Sequence, residues 1–410
     1  MARRLALPVA LASAALAPGL LAEGLRSPTL GSQGLGASGA RFAFIDDVSS
    51  IAHNPANLVE LKQWEVSAEP TFVHHEVSYT GASGTGHTVD PWKILPHVFV
   101  GGPLNDRVSA GIGMTVPYGL SVKWEGTGLF PYVTPHYVDL TTFNFNPTLS
   151  FRISDTLQLG VGVDVMWSEL ELRQNYPWGL VTKSLAPDGE ARAKGSGVGY
   201  GGNAALTWKP TERQRLAVTF RSQMDVSYNG DFTMSNDLIY AGGKSSRYDL
   251  ATKIKYPTIV GVGYGFKLTD TVRVEANAEW VQFSRFDQLQ LNTTAAYPLL
   301  STVAPQNWRD TFTLGIGGDW HFAEGWVARL SYQHFQSPVP AYTFSPTIPD
   351  AAQNVATIGF GYRKGRHRLD VAYARVFYND RNIAANQDPR LTGHYEIAAH
   401  LISAGYGLSF

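Results

Sequence analysis

The sequence predicts an all-β fold, a 14-stranded antiparallel transmembrane β-barrel with an N-terminal hatch (plug) in its lumen. Three observations predict it. Apolar and polar residues alternate with period two along most of the chain. Tight turns alternate strictly with long loops, the habit of outer-membrane barrels. The chain opens on an export signal, yet no later apolar run reaches the roughly 18 residues of a membrane helix.

Composition supports this frame. Of 410 residues, 16% are charged, below the roughly 25% usual in soluble domains. The formal net charge of -1 argues against a nucleic-acid surface, which needs a basic excess. There is no Cys, so disulfides, thiolate catalysis and zinc–thiolate sites are excluded. No metal, nucleotide or other cofactor is implied.

Residues 1–22 read as a Sec signal peptide. Arg3 and Arg4 form the positive end, "LALPVALASAALA" is the apolar stretch, and Ala22 offers a small residue before Glu23. The mature chain is therefore expected in the cell outer membrane.

Residues 23–60 do not alternate. Gly34 to Gly39 formally match the dinucleotide fingerprint, but no strand precedes them and no βαβ unit surrounds them, so that reading fails. In "SSIAHNPANL", Asn54 caps a short helix with Pro55 at its first position. A single Asn-Pro-Ala without spanning helices cannot form a water channel. About forty ordered residues without strand pattern, ahead of a barrel this wide, belong inside the lumen.

From 61 to 410 strands are expected near 64–79, 92–101, 107–119, 137–152, 156–173, 191–209 and 214–229. The series continues near 248–267, 271–288, 307–322, 325–337, 353–363, 366–380 and 393–410. In 156–168, Leu157, Leu159, Val161, Val163, Val165 and Trp167 share one face, with Gln158, Gly160, Gly162 and Asp164 on the other. Such a sheet must close, because lipid leaves no partner for a free backbone group. Trp167, Trp280, Trp320 and Tyr373 suit interfacial girdles. Arg273, Glu275 and Asp319 read as lumen charges that satisfy one another. Tyr406, Leu408 and Phe410 share the outward face of the last strand, and the terminal aromatic resembles the signal read by the barrel assembly machinery.

Other functions fit less well. A general diffusion porin would lack the hatch. An enzyme would need Ser, His and acidic groups in one place, and adjacent His74 and His75 must point to opposite faces. A TonB-dependent transporter needs about 22 strands, more than 410 residues supply.

The chain resembles the FadL/TodX family of outer-membrane transporters of hydrophobic compounds. Three stretches in order carry the resemblance: "GLGASGA…DDVSSIAHNPANL", "VPYGLSVKW" at 116–124 and "SPVPAYTFSPTIPD" at 337–350. The resemblance implies a hatch motif at Asn54, Pro55 and Ala56. It implies ligand capture at the extracellular side, then sideways exit at a kink in the third strand. Pro117, Tyr118 and Gly119 mark that gate, since Pro117 removes a ladder donor and Gly119 supplies no side chain. Arg309 resembles a position whose basic side chain meets the ligand head group, while a second basic position of some relatives falls near Glu169. The implied cargo is a long-chain fatty acid or, alternatively, a neutral aromatic hydrocarbon. Outer-membrane lipid and lipopolysaccharide are the expected surroundings, and a monomer the expected state.

Overall fold

The computed structural model describes residues 23–27, 29–126, 129–130 and 132–410. The signal-peptide reading of 1–22 lies outside them. Fourteen antiparallel strands close into a barrel. They are β1 (Glu65–Ala68 and Thr71–Gly81), β2 (Trp92–Leu95 and Val98–Asn105), β3 (Val108–Thr115 and Leu120–Lys123), β4 (Tyr137–Arg152) and β5 (Leu157–Tyr176). Next come β6 (Gly189–Trp208), β7 (Gln214–Arg221 and Met224–Asp237), β8 (Lys244–Tyr256 and Ile259–Lys267) and β9 (Val272–Val281). The set ends with β10 (Thr311–Ala323), β11 (Trp326–Phe335), β12 (Gln353–Lys364), β13 (His367–Tyr378) and β14 (Gly393–Ser409). Each pairs with its sequence neighbours, and β14 returns to β1 with Ser409 opposite Glu65 and Ser403 opposite Thr71.

The alternation is the expected one. On β5, Val163 is half-exposed on the outer face and its neighbour Asp164 is fully buried on the inner one. Apolar side chains meet lipid outside, while polar ones inside pair with each other or with the hatch. Aromatic rings gather at the two ends of the apolar belt. Trp320, Phe322, Trp326 and Tyr362 form a chain of contacts with centroids 5.5, 6.2 and 4.4 Å apart. Phe143 stacks on Trp167 at the other end, 6.0 Å away.

The strand boundaries differ from expectation where the outer face turns polar. β7 and β8 run on to Asp237 and start at Lys244, and the expected loop at 80–91 holds a short strand, Gly84–His87. Beyond the lipid both faces of a hairpin are polar, so its alternation vanishes. β3 differs in a second way. It was expected as one run over 107–119, but pairing stops at Thr115 and resumes at Leu120.

Residues 31–60 fold inside the barrel as α1 (Ser32–Gly36), α2 (Ser50–His53) and a 3-10 turn (Pro55–Glu60). α1 packs on β12 and β13, and the 3-10 turn packs on β4 and β5. Among the described residues no helix is long and apolar enough to cross a membrane.

Candidate ligand-binding site

The site begins with how the inner segment is fixed. Asn54 is fully buried, and each of its polar atoms is used. Its Nδ2 donates to Phe42 O at 2.6 Å, Thr207 Oγ1 at 2.8 Å and Asn57 Oδ1 at 3.2 Å, and its Oδ1 accepts from the Ala56 N–H at 3.1 Å. Asn54 is therefore the expected cap, and it also ties the Asn-Pro-Ala turn to the β6 wall. Pro55 and Ala56 lie against Gly160 of β5, where a side chain would collide with their backbone.

Charges fix the rest. Glu275 accepts three backbone N–H groups, from Phe42, Ala43 and Phe44, at 2.8, 2.9 and 3.3 Å. Arg273 bonds Asp319, its cross-strand neighbour, and also Asp46 at 3.0 Å. Arg368 holds Asp47, Glu65, Glu69 and Asp370 within 2.9 Å. Arg273 and Asp319 thus pair as expected, whereas Glu275 serves the inner segment instead of a wall neighbour. His53 stays neutral, because burial pushes it down to about 3, and it bonds Leu30 O at 2.7 Å.

At the β3 break, the backbone leaves the wall and pairs with the N-terminal strap. The Ser27 N–H donates to Pro117 O, and the Gly119 N–H donates to Leu25 O, each at 2.9 Å, with Arg26 opposite Tyr118. On the outer side, the β2–β3 ladder ends at Val98 opposite Met114. Contact resumes only where the Val89 N–H reaches Lys123 O at 2.7 Å. Between these points the described residues show no backbone bond from Trp92–Leu95 to β3. Pro117, Tyr118 and Gly119 therefore sit together at a seam in the wall, closed from within by residues 25–27.

A cavity of about 500 Å³ lies on one side of the strap. Leu25, Leu120, Leu140, Leu170, Phe232 and Ile254 line its walls, and the 289–306 and 343–348 loops cover it. Its size and apolar lining suit a small hydrophobic ligand. Three hydroxyls, Thr134, Ser345 and Thr347, meet at one edge, 2.5 to 3.1 Å apart. The only charged lining residues, Asp388 and Arg390, pair with each other at 2.7 Å. A second cavity of about 90 Å³ lies beyond the strap and is polar: Arg26, Arg41, Arg221 and Glu279 line it with Pro117 and Tyr118. Arg26 bridges Glu23 at 3.0 Å and Glu279 at 2.8 Å, and Arg41 also bonds Glu279. Leu25 belongs to the larger cavity and Arg26 to the smaller, so the strap forms the partition.

The late loop holds the strap from the other end. Asp350 accepts from the Gly24 N–H at 3.2 Å and from Ser337 Oγ at 2.5 Å. Burial pushes its carboxyl up to about 6. Burial alone favours the protonated carboxyl, whereas the Gly24 N–H bonds the ionised form more strongly, so acid weakens this contact. The strap should become less protected as pH falls through about 6 towards about 4, the ordinary aspartate range. Hydrogen exchange at Gly24 across that range checks it, and Asp350→Asn should flatten the dependence.

Arg309 stands apart from these groups. It is exposed, its N–H bonds Pro338 O at 2.9 Å, and it is not part of the cavity lining, although Gln306 three residues before it is. Glu169 faces outward on β5 and holds Lys194 at 2.9 Å, away from the cavity. The strap–kink pairing and the cavity walls were not foreseen. Leu170 and Leu172 could have been marked as inner-face residues from alternation, but the strap carried no signal.

Comparison with known proteins places this geometry. Residues 10–410 match the family described as "Outer membrane protein transport protein (OMPP1/FadL/TodX)". The long-chain fatty acid transport protein of Salmonella typhi is 23% identical over 380 residues, covering 85% of each chain. The crystal structure of a Pseudomonas aeruginosa FadL homologue superposes with a TM-score of 0.82 at 21% identity, covering 94% of this chain and 100% of that one. That of the Ralstonia pickettii toluene transporter TbuX gives 0.74 at 17% identity, covering 93% and 99%.

Proposed function

The chain belongs to the OMPP1/FadL/TodX family of outer-membrane transport proteins, and from that premise we propose that it takes up hydrophobic compounds passively, long-chain fatty acids first. The observation that carries this reading is the apolar cavity of about 500 Å³, parted from the wall seam by one strap. A ligand settles among the leucines, where burying each methylene gains about 0.8 kcal/mol. Withdrawal of residues 25–27 then frees Pro117, Tyr118 and Gly119, and the ligand leaves sideways into lipid. Lateral exit avoids moving an apolar chain through water. Passage needs no chemical step and no cofactor. Residues 31–60, with Asn54, Pro55 and Ala56 as their anchor, act as the hatch that blocks water and ions meanwhile.

Arg309 supports the fatty-acid reading as a contact at the mouth. It lies within electrostatic range of Arg381, which also feels Asp350. A carboxylate arriving there relieves the repulsion between the two guanidinium groups. Neutral aromatic hydrocarbons form the second reading. It is favoured by the cavity itself, whose charged lining residues neutralise each other, and the toluene transporter shares the fold. Phe410 is exposed on the outer face, and its N–H bonds Trp64 O at 2.8 Å, a placement that suits recognition by the barrel assembly machinery. The reading needs one copy only.

Uptake of labelled oleate and labelled toluene, in a strain lacking its own fatty-acid transporter, tests both readings. Oleate uptake should fall about two- to fivefold with Arg309→Ala, the scale of an exposed ion pair. Toluene uptake alone moves the chain to the hydrocarbon reading. Uptake of neither by a folded barrel rejects both cargoes.

A further inference from the structure

The outer wall carries a row of basic and aromatic side chains that transport does not use. Arg375 of β13 stands opposite His400 of β14, His400 opposite His74 of β1, and His74 opposite Trp92 of β2. The four form one continuous rung across four adjacent strands, on the face that alternation turns outward. The rung below it is apolar or aromatic throughout: Tyr373, Ile402, Phe72 and Ile94. Above it the face turns polar at Glu76 and Glu396. The row therefore lies at the upper edge of the lipid belt, on the side of the long loops.

Its hydrogen bonding is incomplete for a charged group in that place. Arg375 donates to His400 Nε2, and His400 Nδ1 lies 2.7 Å from Tyr373 OH. The guanidinium also covers the Phe377 ring, 5.5 Å from its centroid. Among the described residues no carboxylate forms an ion pair with it, unlike Arg273, Arg329 and Arg368 in the lumen. Exposed Glu76 lies 3.5 Å from His74. The His74 and Trp92 rings meet edge-on at 4.7 Å, and His74 is 6.5 Å from His400. A guanidinium facing the lipid boundary needs an anion, and its planar fork matches phosphate oxygens.

We propose that Arg375, oriented by His400, and His74, flanked by Tyr373 and Trp92, bind the phosphate of a phosphorylated glycolipid in the outer leaflet. Arg375 engages two phosphate oxygens. His74 supplies an N–H donor on the same rung, His400 holds the guanidinium through Nε2 with its Nδ1 on Tyr373 OH, and the aromatic rings and the apolar rung below take the first methylenes of the acyl chains. The site fixes the barrel's depth and its rotation against outer-leaflet lipid, independently of cargo.

Native mass spectrometry of the full chain in detergent tests this, with lipid A and with the same lipid stripped of its phosphates. Lipid A should be retained and the dephosphorylated lipid released. Arg375→Gln should weaken retention about tenfold, the scale of lost charge-assisted bonds, while Lys253→Gln, elsewhere on the outer wall, should not. Equal retention of both lipids, or wild-type retention by a folded Arg375→Gln barrel, overturns the proposal. So does full displacement of the lipid by millimolar inorganic phosphate, which would make the site one for free anions. Should Arg375→Gln lose the heat-modifiable band of a folded barrel, the pair His74→Asn and His400→Asn decides. With Arg375 intact, retention must then fall severalfold, and unchanged retention rejects the site.

Discussion

A disulfide between Arg26→Cys and Tyr118→Cys should reduce uptake of labelled oleate to background, and reduction should restore it. The two residues face each other in the strap–kink pairing, flanked by the bonds from Ser27 N–H to Pro117 O and from Gly119 N–H to Leu25 O. Those bonds make 26 and 118 a non-hydrogen-bonded pair, whose Cα atoms stand about 4.5 Å apart. That separation lies inside the range a disulfide spans. The natural sequence has no Cys, so no other disulfide can form within the chain. Loss of Arg26 leaves Glu279 still bonded to Arg41 and frees Glu23 from its cation, which weakens both forms alike. The comparison is therefore between oxidised and reduced protein of one variant. The effect should be nearly all-or-none, because the strap is the partition between the large cavity and the seam. Equal uptake by both forms would mean that ligand leaves elsewhere, and the lateral exit at Pro117, Tyr118 and Gly119 would be abandoned.

How much of this was legible follows from what each residue faces. Strands β4 to β6 and β9 to β14 could be read because one face meets lipid and the other meets polar lumen, so Val163 and Asp164 differ in kind. The Gly84–His87 strand and the upper ends of β7 and β8 could not, because water lies on both faces there. Pro117 and Gly119 announced a break in pairing but not its partner. The strap that closes it lies some ninety residues earlier in sequence, and nothing in "GLRS" marks it as a strand. The segment that folds inside the barrel was visible as a stretch without alternation. Its attachments were not, since Glu275 looks like any inward charge until three N–H groups of residues 42–44 arrive at it. Arg309 was marked as a ligand contact by resemblance alone. It stands exposed outside the cavity lining, and that role stays a proposal for the uptake test.

Under the proposed function, such attachments account for one barrel being plugged and still admitting a greasy chain. Ion pairs clamp the hatch at many points: Asp46 to Arg273, Asp47 to Arg368, and Glu60 to Lys209 and Arg215. The strap, by contrast, is held by two backbone bonds at the kink, the Asp350 contact, the Arg26 bridges and the Thr311 and Thr313 hydroxyls on Glu23. On the proposed reading the inner segment is the stiff part and the strap the yielding one, so that opening the strap would expose a path to the wall without opening the path through the lumen.

Gly160→Ala tests the stiff part, with the largest expected effect on the plug. A Cβ at 160 would lie 2.3 Å from the Pro55 carbonyl carbon and 2.4 Å from the Ala56 nitrogen. Both are backbone atoms of a turn pinned by hydrogen bonds from two strands. Ser150 of β4 bonds Ala56 O at 2.9 Å and the Val59 N–H at 3.2 Å, and Thr207 of β6 bonds Asn54 at 2.8 Å. The turn cannot slide aside without breaking these bonds, each in a buried setting where an unmet polar group costs about 1–3 kcal/mol. Seating of the hatch should therefore weaken by about 3–5 kcal/mol, and the barrel, held by its own ladders, should still assemble. The expected phenotype is a folded barrel that leaks small hydrophilic solutes, seen as faster liposome swelling and as faster hydrogen exchange over residues 50–60. Gly202→Ala is the matched control. Its added Cβ would meet nothing nearer than Gly162 O at 3.5 Å, an ordinary contact. Should Gly160→Ala prove as tight and as slow to exchange as Gly202→Ala, the Asn54-Pro55-Ala56 turn is not what keeps the lumen closed, and its buried bonds serve the stability of the wall alone.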